Sequence, residues 1–248
     1  MTRNIHITLT ARDIRENELQ GKAAVVIDVL RATSVIVTAL YNGASWVKTV
    51  ASVEEALLMK SDMVLLGGER FALRIEGFDF SNSPLEYTAE KVSGKGIVLT
   101  TTNGTQALSK CGAAEEVLIG SMINHRAVAE YLGKQDRPVE LICAGTNGEF
   151  SLDDFLCAGL ICTTLQQYGG FELNDLCHLA METWAHSRND LHKALSGATH
   201  YNILKSKGFD IDLDYCLQRD THNILIIRDQ ENKFTTETQR TRSNTENS

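Results

Sequence analysis

Only two prolines occur in the 248 residues, so no proline-rich linker divides the chain. No apolar run approaches the ~20 residues of a membrane-spanning helix; the longest, around 23–40, is interrupted by Asp28 and Arg31. The opening MTRNIHITLTARD has no apolar segment of the kind a secretory signal carries, and the expectation is a cytoplasmic protein with no membrane partner. Six cysteines, at 111, 143, 157, 162, 177 and 216, form no CxxC pair. That spacing excludes a cysteine-based zinc site, and the apolar surroundings point to reduced core thiols rather than a disulfide framework. A net charge of −8 lacks the clustered Lys and Arg that phosphate-backbone binding needs, so no nucleic-acid partner is expected.

Several catalytic signatures are missing too. There is no GxxxxGK[ST] phosphate loop, no GxGxxG after a strand and no GxSxG elbow. No cysteine is followed six positions on by arginine, and Asp28-Val29-Leu30 lacks a second acid two residues after the first. What these absences leave open is metal-assisted hydrolysis without a nucleotide or a cysteine nucleophile.

What is present is an alternation of strands and helices. Ile5, Ile7 and Leu9 alternate with polar residues and read as an edge strand, while Ala23 to Val29 is a continuous apolar run, the pattern of a doubly covered parallel strand. Thr33 or Ser34 can cap a helix that ends at Asn42-Gly43. Further strands are expected at 46–50, 63–66, 97–101, 117–119 and 139–143. Ser52-Val53-Glu54-Glu55 and Ser83-Pro84-Leu85-Glu86 open intervening helices. From Ser151 the pattern turns mostly helical, with a late strand at 224–228. The stretch 235–248, almost without apolar residues, is expected to be disordered. The predicted class is α/β, three layers (α/β/α) with a mostly parallel central sheet and a helical C-terminal portion. The chain is read as one domain over 1–234, with an optional division at 150.

Ligands of such sheets bind beyond the carboxyl ends of the strands. Four strand ends carry polar residues: Asp28, Arg31, Thr33 and Ser34; Gly67-Gly68-Glu69-Arg70; Thr101-Thr102-Asn103-Gly104-Thr105; and Ala144 to Gly148 followed by Ser151-Leu152-Asp153-Asp154. Carboxylates suit Mg²⁺, arginines fit phosphate or sulfonate oxygens, and hydroxyls add donors. Each element also has a structural reading. Asp28 can bond neighbouring backbone, Glu69-Arg70 can be a surface ion pair, and TTNGT can be an ordinary capped turn. Ser151 with Asp153 and Asp154 is a good helix start. His178, His186, His192 and His200 lack paired spacing and read as packing or surface residues. The shared position at strand ends is what favours a site.

The segments DVLRATS (28–34), GGER (67–70), GFDFSNSP (77–84), TTNGT (101–105) and CAGTNGEFSLDDFLCAG (143–159) resemble the 2-phosphosulfolactate phosphatases, with a weaker likeness over 192–216. The resemblance implies a Mg²⁺-dependent hydrolase releasing phosphate from 2-phosphosulfolactate, on a route to coenzyme M, and a homodimer. The chain departs from the family pattern at Phe71-Ala72 and Ser81, in loops expected to face the non-phosphate end of the substrate. The expected Mg²⁺ ligands are Asp28, Glu69, Asp153 and Asp154. Asp28, Arg31, Glu69 and Asp154 are expected to act in catalysis, and Thr33, Ser34, Arg70, Thr102, Asn103, Gly104 and Thr105 to bind substrate. The rival reading is a non-catalytic sensor that binds a phosphorylated or sulfonated metabolite with the same loops.

Overall fold

A computed structural model of the protein describes residues 3–237. The chain runs β1(Arg3–Thr8), β2(Ala23–Ile27), α1(Ala32–Tyr41), β3(Trp46–Thr49), α2(Val53–Leu58), β4(Val64–Arg70) and β5(Leu73–Arg74). It continues α3(Ala89–Val92), β6(Gly96–Thr100), α4(Gly104–Ser109), β7(Glu116–Gly120), α5(His125–Gly133) and β8(Val139–Cys143). The last third is α6(Leu152–Leu165), β9(Phe171–Leu173), α7(Asp175–Ser187), α8(Leu191–Leu195), α9(Thr199–Ser206), α10(Asp210–Cys216), β10(Ile226–Arg228) and β11(Phe234–Thr236).

The strands join in the order β5-β4-β6-β3-β11-β10-β7-β2-β8-β1-β9. Two parallel groups, β4-β6-β3 and β7-β2-β8-β1-β9, are linked by the antiparallel β10–β11 hairpin through single residue pairs, Ile227 with Leu118 and Phe234 with Val47. Helices cover both faces, the expected α/β/α arrangement. Residues of β2 show how: Val25 and Ile27 join the core under α5, α6 and α7, whereas Ala24 and Val26 join a second core with α1 and α4. Every residue of β2 is buried, and each Val or Ile so placed is stabilised by roughly 1.5–3 kcal/mol. Helix α1 touches both β3 and β7, and α4 touches both β2 and β3. These two helices therefore pack against strands of both groups.

Several expectations need correction. β1 is not an edge strand, because Ile5 pairs with Val139 of β8 on one side and Leu173 of β9 on the other. β9 is too short to show a pattern of its own within the helical portion. α1 begins at Ala32 with Arg31 at its N-cap, and the hydroxyls expected to cap it, on Thr33 or Ser34, bond the carbonyls of Asp28 and Val29 instead. Ser83-Pro84 opens only a 3-10 turn over Pro84–Glu86, because Glu86 turns back to accept from the amide and hydroxyl of Ser81, at 2.7 Å each. β4 runs past Leu66 through Glu69 and Arg70 and turns at Phe71-Ala72 into β5. Thr235 and Thr236 belong to β11, pinned by the buried Phe234; 238–248 of the expected disordered stretch lies outside the described residues.

Candidate active site

The loops after β2, β4, β6 and β8 meet at a cavity of about 270 Å³. Asp28, at the end of β2, is its floor. The carboxylate accepts from the amides of Ala32, at 3.2 Å, and Gly104. Gly104 is required there: a Cβ would lie 2.6 Å from Asp28 Oδ2 and 2.8 Å from the methyl of Ala32. Burial pushes the Asp28 carboxyl up to about 7, and the nearby charges of Asp153 and Glu69 push the same way against the two amide bonds.

Glu69 reaches the same cavity from β4. It accepts from the amide and hydroxyl of Thr102, 2.8 Å each, and from the amide of Ala72, 2.8 Å. β4 lies close against β6 at Gly68, whose φ of 151° and 2.1 Å separation between a would-be Cβ and the Thr100 carbonyl admit only glycine. Thr101, Thr102 and Asn103 line the cavity, with Thr146 and Asn147 from the loop after β8. Asn103 Oδ1 accepts from the Asn147 amide at 2.9 Å, tying the two loops together.

Asp153 and Asp154 stand behind this floor. Asp154 accepts from the amides of Val29 (2.9 Å) and Gly145 (3.0 Å), so it fastens the end of β2 to the loop after β8. Its carboxyl is raised well above the ordinary range by burial first and then by Asp153 and Asp28. Asp153 accepts from the Ser151 hydroxyl at 2.6 Å. Neither lines the cavity.

Other expected residues fall outside it as well. Thr33 Oγ1 donates to the Asp28 carbonyl at 2.8 Å, Ser34 Oγ to that of Val29 at 2.8 Å, and Thr105 Oγ1 to that of Thr101 at 2.7 Å. All three are buried and bond the backbone of their own turns, and none lines the cavity. Arg31 lines the cavity but is only 1% exposed. It is ion-paired with Asp212 of α10, donates to the Ala72 carbonyl and stacks on Phe209. These contacts tie Arg31 to the C-terminal helices and to the turn at Ala72. Arg70 does face the cavity. It donates to the Glu69 carbonyl and to Thr100 Oγ1, at 2.7 and 3.1 Å.

Sequence reasoning missed one wall. His200, Ile203, Leu204 and Lys207 recur at i, i+3, i+4 and i+7 and present one face of α9 and its C-terminal end to the cavity. The periodicity is visible in the sequence, but Leu204 on that face is also core, so it looked like packing. Burial keeps the imidazole of His200 below its usual range, against the pull of Asp153. Asn82 was missed too, although it lies inside a quoted motif. It lines the cavity, and its buried Oδ1 has no hydrogen-bond partner. Of the departures from the family pattern, Phe71 and Ala72 line the cavity, while Ser81 faces Glu86.

Asp28, Glu69, Asp153 and Asp154 are each at most 8% exposed. None has a Lys or Arg at ion-pair distance among the described residues. Four buried acids without a cationic partner are costly. Asp28 and Glu69 at the cavity, with the unpaired amide oxygen of Asn82 on the same lining, fit a hard cation with oxygen ligands. Among the described residues no three His, Cys, Asp or Glu side chains form a ready-made cage, which Mg²⁺ does not need, because it keeps several waters and takes one or two carboxylates.

These features place the protein among the α/β proteins whose ligand site lies beyond the carboxyl ends of the strands. The sequence profile of the 2-phosphosulpholactate phosphatases matches residues 8–231. A probable 2-phosphosulfolactate phosphatase of Clostridium perfringens (strain SM101 / Type A) is 49% identical over 218 residues, covering 86% of this chain and 88% of the relative. One from Clostridium novyi (strain NT) is 46% identical over 224 residues, 89% of this chain and 95% of the relative. A third, from Caldanaerobacter subterraneus subsp. tengcongensis, is 45% identical over 220 residues, 87% and 91%. The chain belongs to the 2-phosphosulfolactate phosphatase family of phosphoric monoester hydrolases.

Proposed function

We propose that the protein hydrolyses 2-phosphosulfolactate to sulfolactate and phosphate with the help of Mg²⁺. The observation that carries this reading is the group of four buried acids without a cationic partner, Asp28 and Glu69 at the cavity and Asp153 and Asp154 behind it. A receptor for anions alone would gain nothing from carboxylates beside phosphate, and the names of the relatives favour the enzyme over the sensor.

In this reading Asp28 and the Asn82 amide oxygen hold Mg²⁺, with Glu69 and Asp153 supplying negative charge nearby. The bound ion would polarise the phosphoryl group and lower the pKa of an attacking water. The protein's own groups do the rest. Arg70 and the amide of Asn103 bind phosphoryl oxygens, and Asp28 is placed to take a proton from water at the floor. Asp154 and Arg31 act at one remove. Asp154 fixes the backbone on which Asp28 sits, and Arg31 fixes α10 and the turn at Ala72.

No helix among the described residues is long and apolar enough to cross a membrane. Six free, buried cysteines suit a reducing compartment, which supports the cytoplasm as the site of action. The homodimer belongs to the same proposal; sedimentation showing a monomer would remove it.

Phosphate release from 2-phosphosulfolactate is the test. Turnover that requires Mg²⁺ and is abolished by chelation is the expected result. No turnover of this compound or of a panel of small phosphomonoesters, with Mg²⁺ present, would overturn the enzyme reading.

A further inference from the structure

Three cations line the cavity: Arg31, Arg70 and Lys207. They are not equivalent. The charge of Arg31 is cancelled by Asp212. Arg70 is anchored to Thr100, next to the Thr101–Asn103 loop, and so belongs to the phosphate corner. Lys207, just past the end of α9, donates to the carbonyl of Phe71 at the tip of the β4–β5 turn. It is exposed and has no carboxylate at ion-pair distance among the described residues.

Resting on the reading above, the substrate carries a sulfonate and a carboxylate besides its phosphate. With phosphate drawn to the floor by a cation, those groups cannot also face Asp28 and Glu69, so they point outward. The outward wall is formed by Phe71 and Ala72 of the turn and Ile203 and Leu204 of α9, all apolar, with Lys207 at its rim. We propose that Lys207 is the specificity residue that binds the sulfonate or carboxylate of the substrate. The Phe71 carbonyl holds the ammonium in place until the ligand arrives.

The test is calorimetric titration of sulfolactate into the wild-type protein and Lys207→Met, Lys207→Gln and Lys207→Arg variants. A hydrogen bond to a charged group accounts for roughly 10- to 100-fold in affinity. Met and Gln are therefore expected to weaken sulfolactate at least tenfold, and Arg to retain most of the binding. Gln is the informative variant, because it can still donate to the Phe71 carbonyl. If Lys207 only tied the turn to α9, Gln would bind as the wild type does. Equal affinity of the wild type, Gln and Met forms overturns the proposal, as does a wild type that binds no sulfolactate. A wild type that binds sulfolactate through Lys207 yet releases no phosphate from 2-phosphosulfolactate overturns the phosphatase reading and leaves this one standing.

Discussion

The floor and the outer wall of the cavity are built in opposite ways. The floor is made at strand ends, where carboxylates are buried and bound by backbone amides: Asp28 by Ala32 and Gly104, Asp154 by Val29 and Gly145, Glu69 by Thr102 and Ala72. The outer wall is a helix face and a two-residue turn, with Phe71 86% exposed and Lys207 at the edge of solvent. Both turn residues sit in the left-handed region, Phe71 at φ 55° and Ala72 at φ 63°, where glycine is the easy choice. The contrast teaches a division of labour. In the proposed reading, chemistry common to phosphate esters belongs to the floor, and discrimination between esters to the wall.

This comparison can be broken at either end. The largest expected effect is at the floor. Asp28→Asn is expected to lower kcat at least ~1000-fold while the melting temperature holds or rises, because a buried charge repelled by Asp153 and Glu69 is removed. Retained turnover would take Asp28 out of the chemistry. Next comes the brace between the two regions. Asp212→Ala leaves Arg31 buried and unpaired, and denaturant unfolding should show a loss of about 3–5 kcal/mol. A loss below 1 kcal/mol would mean that Arg31 finds water there.

The third effect is a dependence on pH. Asp28 titrates near 7 in the folded protein against an ordinary 3.8, so the native state holds its proton more tightly than the unfolded chain. Without divalent cations, the contribution of Asp28 to stability should be full below about pH 4 and fall by a few kcal/mol as pH rises to about 7, then level off. Asp154, raised for the same reason, adds to the fall. Melting in EDTA across that range checks the sign; rising stability from pH 5 to 8 would contradict it. The smallest effect is at the wall. Ala72→Gly should stabilise by roughly 0.5 kcal/mol by relieving the left-handed backbone, read from the midpoint of urea unfolding.

The same division explains what the sequence disclosed. Strand ends were legible because buried parallel strands are continuous apolar runs, and the residue after such a run has one place to go. Asp28, Glu69, Arg70, Thr102 and Asn103 were found that way, and each lies at the cavity. Thr33, Ser34 and Thr105 share that address but bond the nearest carbonyls, a local choice that residue type does not announce. The ion pair of Arg31 was not legible because its partner, Asp212, lies 181 residues away. Asp153 and Asp154 head a helix in any reading; only the fold shows that one of them ties two loops together. Lys207 and His200 stayed hidden because a helix face shared by a cavity and a core has the same periodicity as one facing core alone.

The central claim is that the buried acids at the strand ends are completed by a cation. Thermal melting at pH 8 with increasing Mg²⁺ tests it most directly, on the wild type beside Asp28→Asn. Saturating stabilisation of the wild type, larger at pH 8 than at pH 5 and lost in Asp28→Asn, is the expected result. Stabilisation by Mg²⁺ that is equal in both proteins, or absent from both, would contradict the claim.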